Sequence, residues 1–382
     1  MRKRLISFIL ITIMTMTSIA SYAEIDMKSK SSLLMDSSSG KIIYAKNEHE
    51  RLFPASITKI MTLLIVMESI ENGKITLQDE VQISEHASKM GGTQVYLDAG
   101  EMQTVENLIK ATSIRSANDA AVALSEYISG SEESFVKEMN KRAKTLKMKN
   151  TKFSNSSGLP IKNHYSTAYD IAIMSKELLK YEGIYKYLST YMDEIKVGKS
   201  KTSTQSMVNT NKLIKTYDGA NGVKTGFTNE SLHCISASAK RGDLQLIAVV
   251  LGGETSKSRF EEAKKLLDYG FSNYESITIG KKGDSIATIP LEKGKDESVE
   301  LVLERDSHIL FSKGDKVKLE KSIKVPEYIV APVEDNKPIG KLIIKDKEKV
   351  IDEINLIAVD DIEKGNFVNM FKKVSTNFLF NN

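Results

Sequence analysis

A chain of 382 residues, 41% hydrophobic and 27% charged, is long enough for two folded domains, and its composition excludes wholesale disorder. The formal net charge is +4; the first 23 residues carry three positive charges and no negative ones, so 4 − 3 leaves +1 for the rest. That balance excludes a nucleic-acid binder held by charge. Cys234 is the sole cysteine, which excludes an internal disulfide, a zinc cluster or an iron–sulfur site. His49, His86, His164, His233 and His308 never fall at metal-ligand spacing, so the chemistry is expected to use no metal or cofactor.

Arg2, Lys3 and Arg4 precede an uncharged apolar run over residues 5–19, and Ser21-Tyr22-Ala23 supplies small residues at a cleavage site. This pattern predicts a secretory signal peptide cut after Ala23 and an exported protein. A retained membrane anchor is the alternative, which so short a run disfavours. Residues 32–36 and 41–45 read as a β-hairpin across a Ser-Ser-Ser-Gly turn. A helix is predicted over 56–72 and closed by Gly73; Ile57, Ile60, Met61, Leu64, Ile65 and Met67 cover most of its circumference, so it should be buried. Helical patterning dominates 105–187. A second hairpin follows over 232–239 and 244–252, then a helix over 256–269.

An early hairpin, a helical insert, a late hairpin and a closing helix imply one α/β (α+β) unit whose two ends share a sheet. After Phe271 short alternating stretches at 298–303, 316–319 and 341–344 predict a small all-β domain. Finally Ile362, Phe367, Met370, Phe371, Val374 and Phe378 recur at three- and four-residue spacing, with Lys372, Lys373, Asn366, Asn369 and Asn377 opposite. They predict an amphipathic helix, lying on a membrane surface or docked on the β domain.

Ser-x-x-Lys occurs three times, at Ser38/Lys41, Ser56/Lys59 and Ser134/Lys137, and alone it says nothing. Ser56 stands apart because it follows Pro54-Ala55 and opens the buried helix, one turn from Lys59. A serine needs a base to become a nucleophile, and a desolvated lysine can be that base. A helix N-terminus also favours negative charge developing beside Ser56. Ser116-Ala117-Asn118 and Lys224-Thr225-Gly226 follow. This trio, in this order, is the signature of penicillin-binding proteins and class A β-lactamases. Gly198-Lys199-Ser200 imitates the end of a phosphate-binding loop, but Asp193 stands where its first glycine should be.

The blocks Pro-Ala-Ser-Ile-Thr-Lys at 54–59, Ser-Ala-Asn-Asp-Ala at 116–120 and Lys-Thr-Gly-Phe-Thr at 224–228 resemble the low-molecular-mass penicillin-binding proteins of the serine D-alanyl-D-alanine carboxypeptidase family. Asn150 to Phe153, Gly158-Leu159, His164 to Ala168, Arg259-Phe260 and Leu266 to Phe271 extend the likeness over nearly the whole chain. The resemblance implies a transpeptidase-like fold with an antiparallel sheet and a helical subdomain. It implies removal of the terminal D-alanine from peptidoglycan pentapeptide stems, through an acyl-enzyme on Ser56 with Lys59 as base. Ser116 would relay a proton to the leaving amine and Asn118 would hold the substrate amide. Lys224 would supply charge, Thr225 and Arg259 would bind the terminal carboxylate, and the backbone N–H groups of Ser56 and Phe227 would form the oxyanion hole. β-Lactams would acylate the enzyme, and the tail would hold it to the outer face of the cytoplasmic membrane. The expected organisation is a signal peptide at 1–23, a catalytic domain at 24–272, a β domain at 273–358 and a surface helix at 359–382.

Arg115, Leu232 and His233 depart from the family pattern, by substrate tuning or by drift on a sheet edge. Cys234 reads as a buried strand residue, His164 as a loop histidine, and Asp119 and Asp170 as structural carboxylates. Lys59 and Lys224 could also be structural or solvated lysines. A class A β-lactamase needs a glutamate for deacylation, and residues 139–169 contain no Asp or Glu. A degenerate, non-catalytic binder is opposed by the intact trio.

Overall fold

The computed structural model describes residues 25–334 and 337–365; the expected signal peptide lies outside them. The two ends of the first domain meet in one antiparallel five-stranded sheet, as the paired hairpins predict. Its order is Ile42–Lys46, Ser31–Asp36, Leu244–Gly253, Leu232–Arg241, Ala220–Thr228. Ser31–Asp36 is buried along its length, and the two-residue period of a strand divides it between two cores. Leu33 and Met35 join Ile247, Val249 and Leu251 on one face, while Leu34 joins Leu246, Ala248 and Val250 on the other. The helix Ala168–Leu178 packs on the first face and Ser256–Asn273 on the second. A capping box starts the latter: Ser258 N–H donates to Thr255 Oγ1 at 3.0 Å, and Thr255 N–H donates to Ser258 Oγ at 3.0 Å. Arg259 is thereby held in the first helical turn.

Local chemistry reshapes several predicted elements. The helix expected over 56–72 begins as a 3-10 turn, Ala55–Thr58, and turns α-helical only at Lys59–Glu71. Ala55 has φ +47°, a left-handed conformation that swings the chain into that turn. The helical run over 105–187 is divided into Val105–Lys110, a π-turn Ala111–Arg115, Asn118–Ser129, Glu132–Thr145, Ala168–Leu178 and Glu182–Leu188. Residues 146–167 form a long loop anchored by side chains. Asn140 binds both the N–H and the carbonyl of Phe153, and Asp170 accepts from Asn150 N–H and Thr151 Oγ1. The polar hairpin Met192–Val197 with Ser203–Val208 was not foreseen, because neither strand carries a continuous apolar face.

The helix reaches Asn273, and an all-β unit begins at Tyr274. Its main sheet runs Leu319–Lys324, Pro338–Asp346, Lys349–Ala358, Ser298–Leu303, Ser285–Glu292, Ile329–Val330. The strand expected over 316–319 starts only at Leu319, after a turn in which Val317 N–H donates to Asp315 O. The helix expected from 359 does not begin there. Ile362 exchanges both backbone hydrogen bonds with Val333 (2.8 and 3.0 Å), so its N–H and carbonyl are not free for helical bonding. The rest of that predicted helix, from 366, lies outside the described residues.

Candidate active site

The 3-10 turn brings Ser56 and Lys59 into line, since side chains three apart eclipse at three residues per turn. Lys59 is wholly buried, and its amine lies 3.2 Å from Ser56 Oγ. Its other two partners are Asn118 Oδ1 at 2.6 Å and the Ser157 carbonyl at 2.7 Å. Asn118 Nδ2 donates to Gly91 O at 2.7 Å, and a carbonyl there demands a donor. The amide oxygen must therefore face Lys59. Asn118 Oδ1 and Ser157 O can only accept. A neutral amine has two N–H bonds and one lone pair, so these two carbonyls take both hydrogens and leave the lone pair toward Ser56.

Burial pushes the Lys59 amine well below the ordinary lysine pKa, and the nearby Lys224 charge pushes the same way; Asp119 opposes them. Asp119 is itself committed to structure, accepting from the N–H groups of Val95, Leu97 and Ala120. Lys224, also buried, is lowered to about 7, first by burial and then by Arg259. Arg259 is lowered to about 10 by burial; its Nη1 donates to Gly226 O at 2.9 Å and Cys234 O at 3.3 Å. Its Nε has no partner among the described residues, and no carboxylate pairs with it. Thr225 Oγ1 donates to Thr210 Oγ1 at 2.7 Å, tying the Lys-Thr-Gly strand to the segment before it. Two buried lysine amines and a buried guanidinium thus line one site.

Two glycines let the walls close on Ser56. A Cβ on Gly226 would stand 3.1 Å from Ser56 N and 3.0 Å from Pro54 O, so a side chain there would press the edge strand and the serine turn apart. Gly158 has φ +87°, and a Cβ there would overlap the Ala55 carbonyl. Phe227, the next residue on the edge strand, is half exposed and stacks on His233 with ring centroids 4.4 Å apart. Ser116 has φ +68° at the end of the π-turn, is 5% exposed, and is not among the partners of the Lys59 amine.

The other readings resolve along the same lines. Ser154 N–H donates to His164 Nδ1 at 3.0 Å, so the ring proton sits on Nε2 and is given to Thr58 Oγ1 at 2.7 Å. Burial lowers His164 to about 4, and this neutral ring braces the serine turn. Cys234 is fully buried and raised to about 11 by desolvation, a strand residue rather than a nucleophile. Leu232, one of the departures from the family pattern, has φ +56°, a left-handed conformation that favours glycine. Ser38 lies in a hairpin turn beside Asp36, and Lys137 is paired with Glu133 in solvent. Ser157 was missed by sequence reasoning because a backbone carbonyl leaves no side-chain signature.

The sequence profile of the D-alanyl-D-alanine carboxypeptidase family matches residues 16–255, and that of the penicillin-binding protein 5 C-terminal domain matches 274–364. The chain belongs to the D-alanyl-D-alanine carboxypeptidase family. It is 44% identical to D-alanyl-D-alanine carboxypeptidase DacF of Bacillus subtilis across 97% of both chains. It is 33% identical to DacC of Escherichia coli across 88% of this chain and 84% of that one. Penicillin binding protein 5 of Haemophilus influenzae superposes with a TM-score of 0.70 at 32% identity, covering 89% of this chain and 98% of that one. The catalysed reaction is serine-type carboxypeptidase hydrolysis in peptidoglycan.

Gly158→Ala should displace the serine turn, lowering stability by roughly 2–4 kcal/mol and slowing penicillin acylation about 10²-fold. A thermal melt beside an acylation time course checks both effects; parent-like acylation would show that the turn tolerates the displacement.

Proposed function

We propose that Ser56 is the nucleophile and Lys59 its general base in release of the terminal D-alanine. The observation that carries this is the Lys59 amine, whose two acceptor-only partners aim its lone pair at Ser56 Oγ. Ser56 attacks the carbonyl between the two D-alanines while Lys59 takes the hydroxyl proton. The resulting ammonium keeps three acceptors: Asn118 Oδ1, Ser157 O and Ser56 Oγ. The N–H groups of Ser56 and Phe227 stabilise the oxyanion; Ser56 lies in the first turn of its 3-10 helix, where N–H groups lack helical partners. Ser116, on its left-handed corner, relays a proton to the leaving amine. Asn118 is already occupied by Lys59 and Gly91, so it fixes the base as well as any substrate amide. Lys224, Thr225 and Arg259 receive the terminal carboxylate, which supplies the anion this cationic pocket lacks. Water then releases the acyl group.

Ser56→Ala should abolish both D-alanine release and the covalent penicillin adduct, with rate losses of about 10⁴–10⁶, while the melt stays cooperative. In the parent the adduct should persist, since among the described residues no carboxylate hydrogen-bonds Lys59 or Ser56 to activate a deacylating water. Intact-mass analysis reads both; an adduct that survives in Ser56→Ala would overturn the assignment.

The same proposal places the enzyme outside the cytoplasmic membrane, held there by its tail. No helix among the described residues is long and apolar enough to cross a membrane. Beyond Gly365, Phe367, Met370, Phe371, Val374 and Phe378 keep the amphipathic spacing, and Lys372 and Lys373 would each add roughly 1 kcal/mol on anionic lipid. Deleting residues 366–382 should release the protein from anionic vesicles and leave hydrolysis of a soluble peptide intact. Unchanged vesicle binding with a lower melting temperature would instead mean a helix docked on the β domain.

A further inference from the structure

Behind the catalytic lysine, the loop Asn155–Gly158 is held by a carboxylate that no catalytic motif contains. Glu132, the first residue of the helix Glu132–Thr145, accepts from Ser156 N–H at 2.9 Å and from Ser156 Oγ at 2.7 Å through one oxygen. Its other oxygen meets His86 Nε2 at 2.9 Å. The next residue along the loop is Ser157, whose carbonyl receives Lys59 Nζ. Thr62 Oγ1, one turn along the lysine helix, donates to the Ser156 carbonyl at 2.7 Å, and Asn155 Oδ1 accepts from Gly158 N–H at 2.7 Å. The loop is therefore gripped from both sides at Ser156, and no residue intervenes between that grip and Ser157, which supplies the catalytic amine's acceptor.

We propose that Glu132 is a positioning residue for the reaction, fixing the Ser157 carbonyl so that the Lys59 lone pair stays on Ser56. The inference rests on Ser56 and Lys59 having the roles given above. Glu132 is suited to this because it stays ionised: burial works against the charge, but the hydrogen bonds from His86 and Ser156 outweigh it and lower its pKa. An ionised carboxylate makes stronger, shorter hydrogen bonds than a neutral acceptor would. Glu126 and Glu133 line the same surface cleft as Glu132 and His86, and Lys224 and Asp119 act on Lys59.

Without the grip, Ser157 O drifts from the amine, and two consequences follow. Lys59 loses one of the two acceptors that orient it, so kcat falls more than KM rises. The ammonium form also loses a carbonyl dipole that favours it, so the Lys59 pKa falls and the acid limb of the rate profile moves to lower pH. A merely structural carboxylate would produce neither the pH displacement nor rescue by its isostere.

The test measures D-alanine release and penicillin acylation against pH in Glu132→Ala, Glu132→Gln and Ser156→Ala of the whole mature chain. Glu132→Ala should lose about tenfold or more in kcat with its acid limb displaced downward. Glu132→Gln, which keeps an acceptor for Ser156, should recover most of the rate. Ser156→Ala removes one of the two hydrogen bonds to Glu132 and should shift in the same direction even where Glu132→Ala fails to fold. Parent-like rates and pH profile in Glu132→Ala or Ser156→Ala would overturn the proposal, as would a Gln variant as impaired as the Ala variant. A Ser56→Ala control run alongside separates the two ideas: adduct formation there would overturn the nucleophile assignment and this proposal with it, whereas no adduct there together with a parent-like Glu132→Ala would overturn the positioning role alone.

Discussion

The amine of Lys59 is buried against two oxygens that can only accept hydrogen bonds and one hydroxyl that can donate, and this constraint organises the rest of the site. A lysine in water would be charged, mobile and useless as a base. Here the Asn118 amide, locked in one orientation by Gly91 O, and the Ser157 carbonyl fix two N–H directions and leave one lone pair. Much of the surrounding architecture serves to bring these two oxygens to one point. The π-turn and left-handed Ser116 deliver Asn118, the glycine at 158 lets its loop close on Ala55, and the neutral His164 braces the serine turn through Thr58.

Gathering Lys59, Lys224 and Arg259 without a paired carboxylate works against the fold. A lysine with a depressed native pKa binds fewer protons folded than unfolded, so stability rises with pH between the native and the ordinary value. For Lys224 that window runs from about 7 to 10.5, and below it the destabilisation is fully present. The five-stranded sheet, buried on both faces, provides the rigid frame that tolerates this. On the reaction proposed above, what the cluster gains is a pocket complementary to the one charge that a peptide ending in a free carboxylate must carry.

The fold was readable in the sequence wherever burial imposes a period. Both hairpins of the central sheet and the helix Ser256–Asn273 follow from apolar alternation and spacing, and motif order singles out Ser56, Lys59, Ser116 and Lys224 as candidates. What stayed hidden depends on backbone atoms or on contacts across long separations. The Ser157 carbonyl has no residue-type signature, the grip of Glu132 spans 24 residues, and the turn at Ser56 is 3-10 because of a left-handed Ala55 that no propensity suggests. Ile362 fits a helical stripe by spacing, yet its backbone is taken by Val333, since tertiary pairing overrides local periodicity.

The protonation state of Lys59 is the point on which everything turns, and it can be measured without substrate. An NMR titration of lysine side chains in the mature protein, with the Lys59 signal identified by its absence in Lys59→Met, reports it directly. The expected midpoint lies well below 10.5, so that the amine is available as a base without strong alkali. A Lys59 midpoint at the ordinary lysine value would contradict the lone-pair geometry and remove Lys59 as the base.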